Sequence, residues 1–103
     1  MVIRWTTNAQ LRILDIYNFY KGKSVQVVQN IIEEIYTAVL SLQEFPQMAP
    51  VEMLLSELPL QYRSLLVRNL FKIIYFIDEK ENSIVIVSVW DCRRNPKELQ
   101  KDI

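Results

Sequence analysis

The sequence predicts an α+β domain in which an antiparallel helical hairpin packs on one face of a small, mainly antiparallel sheet. Three strand-like runs follow one another between Tyr62 and Asp91, two runs of helical period precede them, and the breaks between these segments are short. The order is β-α-α-(β)-β-β-β, the bracketed strand being a short edge segment. Residues 1–103 make one domain with a modest core.

Taken in order, Val2-Ile-Arg-Trp5 alternates as a short strand does. Thr7-Asn-Ala-Gln10 matches a capping box, so a helix is expected from there, with Ile13, Ile16, Tyr17 and Tyr20 at helical spacing. The only glycine, Gly22, stands where a left-handed residue would end it. Ser24 is placed to cap a second helix, whose apolar residues Val28, Ile32, Ile35, Val39 and Leu42 recur in steps of three and four. Pro46 stops that helix, and the short turn between the two forces them antiparallel. Pro46, Pro50 and Pro59 bracket a connector with one short edge strand at Met53-Leu-Leu-Ser56.

The meander follows. Tyr62–Val67, Phe71–Ile77 and Ser83–Asp91 are rich in β-branched and aromatic residues, and the polar breaks Arg68-Asn69-Leu70 and Asp78–Asn82 suit tight turns because Asn tolerates left-handed dihedrals. In the middle strand Ile73, Tyr75 and Ile77 lie on one face and Ile74 and Phe76 on the other, so both faces are apolar. One helical hairpin covers one face. The other calls for separate cover: a bound partner, with a second copy or the C-terminal tail as the alternatives.

Composition narrows the chemistry. With one cysteine, Cys92, and no histidine, neither a disulfide framework nor a structural zinc or copper site is expected, and no cofactor motif is present. No run approaches the roughly 18 apolar residues of a membrane span, and a signal peptide's pattern is missing, so a cytoplasmic location is expected. Net charge is zero but unevenly placed. The first helix region is basic; residues 24–57 carry Glu33, Glu34, Glu44, Glu52 and Glu57 and no Lys or Arg; residues 58–77 carry Arg63, Arg68 and Lys72 and no acid. The chain can therefore present a basic sheet surface.

Ile3-Arg-Trp-Thr6, a hairpin ending in Leu42-Gln-Glu-Phe-Pro46, the Tyr62-Arg63 strand, Lys72-Ile-Ile-Tyr75 and Val89–Pro96 stand in an order and spacing that resemble the RelE/ParE superfamily, toxins of bacterial type II toxin-antitoxin pairs. The resemblance spans nearly the whole chain. It implies a cognate antitoxin that wraps the toxin, a homodimer or a heterotetramer with that antitoxin, and a growth-inhibiting function of the plasmid-stabilisation kind. Tyr62, Arg68, Tyr75 and Trp90 are the expected antitoxin contacts.

Two activities follow from the resemblance. RelE-like members cut ribosome-bound mRNA without metal; Lys72 with Arg63, Arg93 and Arg94 would here supply the cations that hold phosphate. The proton-moving half is poorly provided, since nothing aromatic follows Trp90, the chain has no histidine, and Lys72 stands where Arg is usual. ParE-like members instead bind DNA gyrase and need no catalytic residues, and the residues lean to that reading. An inactive interaction module is the third. Cys92 beside Arg93 and Arg94 is read as an inert thiol rather than a nucleophile, and Trp5 as packing rather than base-stacking.

Overall fold

The computed structural model describes residues 1–103. Strand β1 (Val2–Trp5) leads into α1 (Thr7–Tyr20) and α2 (Val25–Glu44), a 3₁₀ turn at Met53–Leu55, strands β2 (Arg63–Val67), β3 (Phe71–Asp78) and β4 (Ser83–Asp91), a 3₁₀ turn at Pro96–Glu98, and α3 (Leu99–Asp102). The sheet order is β1-β4-β3-β2. The meander is antiparallel as the sequence predicts, and β1 joins it in parallel beside β4, Val2 facing Ser83 and Trp5 facing Ile86.

The cap of α1 is Thr6, not the expected Thr7. Thr6 keeps extended dihedrals because its amide still bonds to Ile86 O in the sheet (3.0 Å), and its Oγ1 then accepts from the Ala9 amide (3.1 Å). A bulge at Val87 strengthens this joint: Ile74 pairs with Ser88 and Tyr75 with Ile86, and the skipped Val87 carbonyl accepts from Thr6 Oγ1 and Asn8 Nδ2. Gly22 is not left-handed. Lys21 continues right-handed dihedrals, and the Lys23 and Ser24 amides close the turn onto Tyr20 O.

Ser24 caps α2 by accepting from the Val27 amide (3.2 Å), and the helix ends one residue before Phe45-Pro46. Its buried row is Val28, Ile31, Ile35, Val39 and Leu42. Ile31 replaces the expected Ile32, which is half-buried. The connector forms no strand at Met53–Ser56: Glu52 turns its own carboxylate onto the Leu54 amide (3.1 Å) and starts a 3₁₀ turn there. The only strand-like contact is a single bridge between Val51 and Arg63.

Two apolar layers sandwich the sheet. On the helix side Ile16, Ile31, Ile35, Val39 and Leu42 pack on Phe71, Ile73, Tyr75, Ile84 and Ile86. On the other side Leu55, Tyr62, Ile74, Trp90 and Leu99 form a second cluster, with Leu58, Phe76, Val87 and Ile103 at its margin. Ile73, Ile74 and Tyr75 are fully enclosed, whereas Phe76 and Ile77 keep partial exposure. This corrects the preferred expectation of a bound partner on the second face and bears out the alternative of the C-terminal tail, which covers it together with the 3₁₀ turn at Met53–Leu55. The tail is likewise less polar in role than its composition indicates. Asn8 Nδ2 donates to the Asp102 carbonyl (3.0 Å), the Ser88 hydroxyl donates to the Asp102 carboxylate, and Arg12 Nε lies 3.3 Å from that carboxylate, so Leu99 is held against the sheet.

Candidate functional site

Side chains on adjacent strands share a face when their residues pair, which fixes where each expected cation points. Lys72 pairs with Trp90 and lies on the second face; Arg63 pairs with Tyr75 and lies on the helix face. The sheet therefore separates two members of the expected phosphate-holding set.

Each cation also has an internal partner. Lys72 Nζ sits 2.8 Å from Oε2 of Glu52, whose side chain is 6% exposed. Burial alone pushes the Glu52 carboxyl up, but hydrogen bonds from Lys72, Ser64 and the Leu54 amide outweigh it and hold the group below its ordinary range. Arg63 donates to Ala49 O (2.7 Å) while the Tyr75 hydroxyl donates to Pro46 O (2.8 Å), so both tie down the chain as it leaves α2. Arg93 grips Asp91 through two nitrogens, Nε at 3.0 Å and Nη2 at 2.6 Å, and donates to the Tyr20 hydroxyl (2.5 Å). That fork holds the Asp91 carboxyl below its usual range. Arg94 stacks with its guanidinium 4.2 Å from the Trp90 ring centre.

What the structure gathers on the second face is Lys72, Glu52, Trp90 and Arg94, with Cys92 nearby. Chemically this is a neutralised ion pair beside a stacked cation. Burial pushes the Cys92 thiol up despite the neighbouring Lys72, which disfavours thiolate. No group of three His, Cys, Asp or Glu side chains converges as a metal site would require. Of the residues expected to meet an antitoxin, Tyr75 and Trp90 are enclosed, Tyr62 lies 9% exposed at the rim of the second cluster, and Arg68 is at the surface, paired with Glu34.

Sequence reasoning missed Glu52, which it counted only as one of five acids on an acidic stretch. Its neighbours gave a signal: a single carboxylate set between Val51 and Met53-Leu54-Leu55 is costly to bury without a cation. It also passed over the pair Phe19-Tyr20 standing directly before Lys21-Gly22-Lys23.

The fold is shared with a solved chain of the chromosomal ParDE toxin-antitoxin system from P. aeruginosa, at TM-score 0.71 and 20% identity, covering 88% of this chain and 95% of that one. No curated protein matches. No helix is long and apolar enough to cross a membrane. Residues 3–96 match the model of the family described as ParE toxin of type II toxin-antitoxin system, parDE. The chain belongs to the ParE toxin family, within the RelE/ParE superfamily whose α+β fold it carries.

Proposed function

We propose that the chain is the toxin of a two-protein pair, neutralised by a cognate antitoxin in the cytoplasm, and that it inhibits DNA gyrase by binding rather than by cutting RNA. The observation that supports the binding reading is that Lys72, the central candidate phosphate ligand, is already engaged inside the fold by a carboxylate of the chain itself. An mRNA backbone would have to displace the buried Glu52 from Lys72, and Arg63 stands across the sheet from them. A phosphate site needs donors already aimed at the anion and free to meet it. Here the anion in place is the protein's own. The similar P. aeruginosa chain belongs to a toxin-antitoxin system, which supports the partner.

For the antitoxin, the exposed apolar residues of the hairpin are the better-placed contacts: Leu11 and Leu14 one turn apart on α1, Tyr36 and Leu40 one turn apart on α2. Of the contacts expected from sequence, Arg68 remains accessible to join them. A flexible segment with matching apolar spacing would fold as it binds.

The test is expression of the chain alone, then with the small protein encoded beside it. Growth arrest relieved by that neighbour, with cleaved DNA accumulating and mRNA intact, supports the reading. Arrest with mRNA cut at ribosomal A sites would establish the RelE-like nuclease instead, and no arrest at all would leave an interaction module.

A further inference from the structure

At the tip where α1 passes into α2, Lys21 and Lys23 have no carboxylate partner, and Arg93 joins them. Lys23 Nζ lies 4.8 Å from the Phe19 ring centre and 5.8 Å from that of Tyr20, and Lys21 Nζ lies 5.7 Å from that of Tyr17. Arg93 arrives from the end of β4, 5.4 Å from the Phe19 and 5.5 Å from the Tyr20 ring centre. Neither lysine forms a salt bridge, and no acid occurs between Asp15 and Glu33. Arg12, Arg68, Lys72 and Lys101, by contrast, each meet a carboxylate. Arg93 does share Asp91, and Arg94, without a carboxylate partner, lines with Phe19 and Tyr20 a cleft of about 340 Å³ that Asp15 and Asp91 also line.

An aromatic face orders a cation without cancelling its charge or consuming its hydrogen-bond donors. Lys21 and Lys23 are thus held in place with their ammonium donors still available. Phe19 is 55% exposed and Tyr17 38% exposed, so both rings are open to a ligand at this solvated turn. Basic side chains interleaved with exposed rings are what an unpaired strand requires, phosphates to the cations and a base to the ring.

We propose that this tip binds single-stranded nucleic acid, with Lys21, Lys23 and Arg93 meeting backbone phosphates and Phe19 stacking on a base. When a phosphate draws Lys23 aside, the face of Phe19 it covered is released for that base. A duplex offers the phosphates but no free base face, so single strands are preferred. An acidic protein segment would use the cations and leave the rings idle. The site is separate from the second-face ion pair.

Fluorescence anisotropy of the full chain with labelled 20-mers of oligo(dT), oligo(rU) and a mixed-sequence duplex tests this across a salt series. Both single strands are expected to bind more tightly than the duplex. Lys21→Gln with Lys23→Gln should weaken binding about tenfold and lower the log–log salt slope by about 1.4, since two phosphates lose their cations. Phe19→Ala should weaken binding with the slope unchanged. Lys97→Gln with Lys101→Gln, the same charge loss on the exposed tail, should leave affinity within about twofold. The proposal is overturned by no binding at low salt, by tighter duplex binding, by equal losses in the two lysine pairs, or by poly-glutamate competing as well as the oligonucleotides.

Discussion

The Lys72 ammonium lies 2.8 Å from a Glu52 carboxylate that is itself buried, and the two come from a strand and a connector twenty residues apart. Such a pair contributes little net stability, because desolvating both charges offsets their attraction, yet breaking one side leaves the other stranded. Glu52→Ala is therefore expected to cost about 2 kcal/mol, moderated because Lys72 is 29% exposed and can reach water. Lys72→Met with Glu52→Gln should fall within about 1 kcal/mol of the parent, since Gln keeps an oxygen for the Leu54 amide and Met fills the lysine's stem. Urea midpoints measure both. The same double variant bears on activity: growth arrest should persist with Lys72 gone, and its loss in a stably folded variant would return Lys72 to the role of a phosphate ligand.

Acid should loosen the protein through the same carboxylate. The Glu52 pKa is depressed in the fold, so its stabilisation is fully present above the ordinary Glu value of about 4.3 and is lost as pH falls through the lower folded value. Asp91, also depressed, adds to the acid sensitivity. Glu52→Gln removes one contributor. Urea midpoints taken between pH 7 and pH 3 are expected to drop less steeply in Glu52→Gln than in the parent, and superimposable profiles would contradict the assignment.

The legible parts of the fold were those written in local pattern. Ser24, the α2 period and Pro46 define a helix without outside help, and three β-rich runs with polar breaks define a meander. Errors arose where two neighbours qualify equally and a distant contact chooses. Thr6 outranks Thr7 because Ile86 holds its amide, and Ile31 outranks Ile32 because the sheet fixes the rotation of α2. The second-face cover was illegible for a related reason. One leucine in a polar tail carries no period, and its docking depends on Asn8, Arg12 and Ser88, far away in the chain. The site behaved the same way: the cations stood out as residues, while the pairing of Lys72 with Glu52, twenty residues away in the chain, becomes visible only in space.

Leu99 gives that tail a measurable role. It is fully buried against Ile74, Trp90 and Leu55, so Leu99→Ala should cost about 3 kcal/mol through lost transfer energy and the cavity left behind. Leu66, 49% exposed on the edge strand β2, is the matched control and should cost under about 0.5 kcal/mol. Equal urea midpoints for the two alanine variants would show that the second face does not rely on the tail.

At the β2–β3 turn the competing terms can be ranked by size. Arg68 adopts φ 57° and Asn69 φ 52°, a left-handed pair that asparagine accepts and arginine resists by about 1 kcal/mol. Arg68 also pairs with Glu34, but both side chains are solvent-exposed, 38% and 49%, and a bridge of that kind contributes about 0.5 kcal/mol or less. The backbone term is the larger. Arg68→Gly is therefore expected to raise stability by about 0.5 kcal/mol, despite the greater freedom of glycine in the unfolded chain, and Glu34→Ala to lower it by no more than that. Should Arg68→Gly instead destabilise the protein by more than Glu34→Ala does, the arginine is doing something at that turn beyond its ion pair. An antitoxin contact at Arg68 is a separate matter, checked by comparing the affinity of the two variants for the neighbouring gene's product.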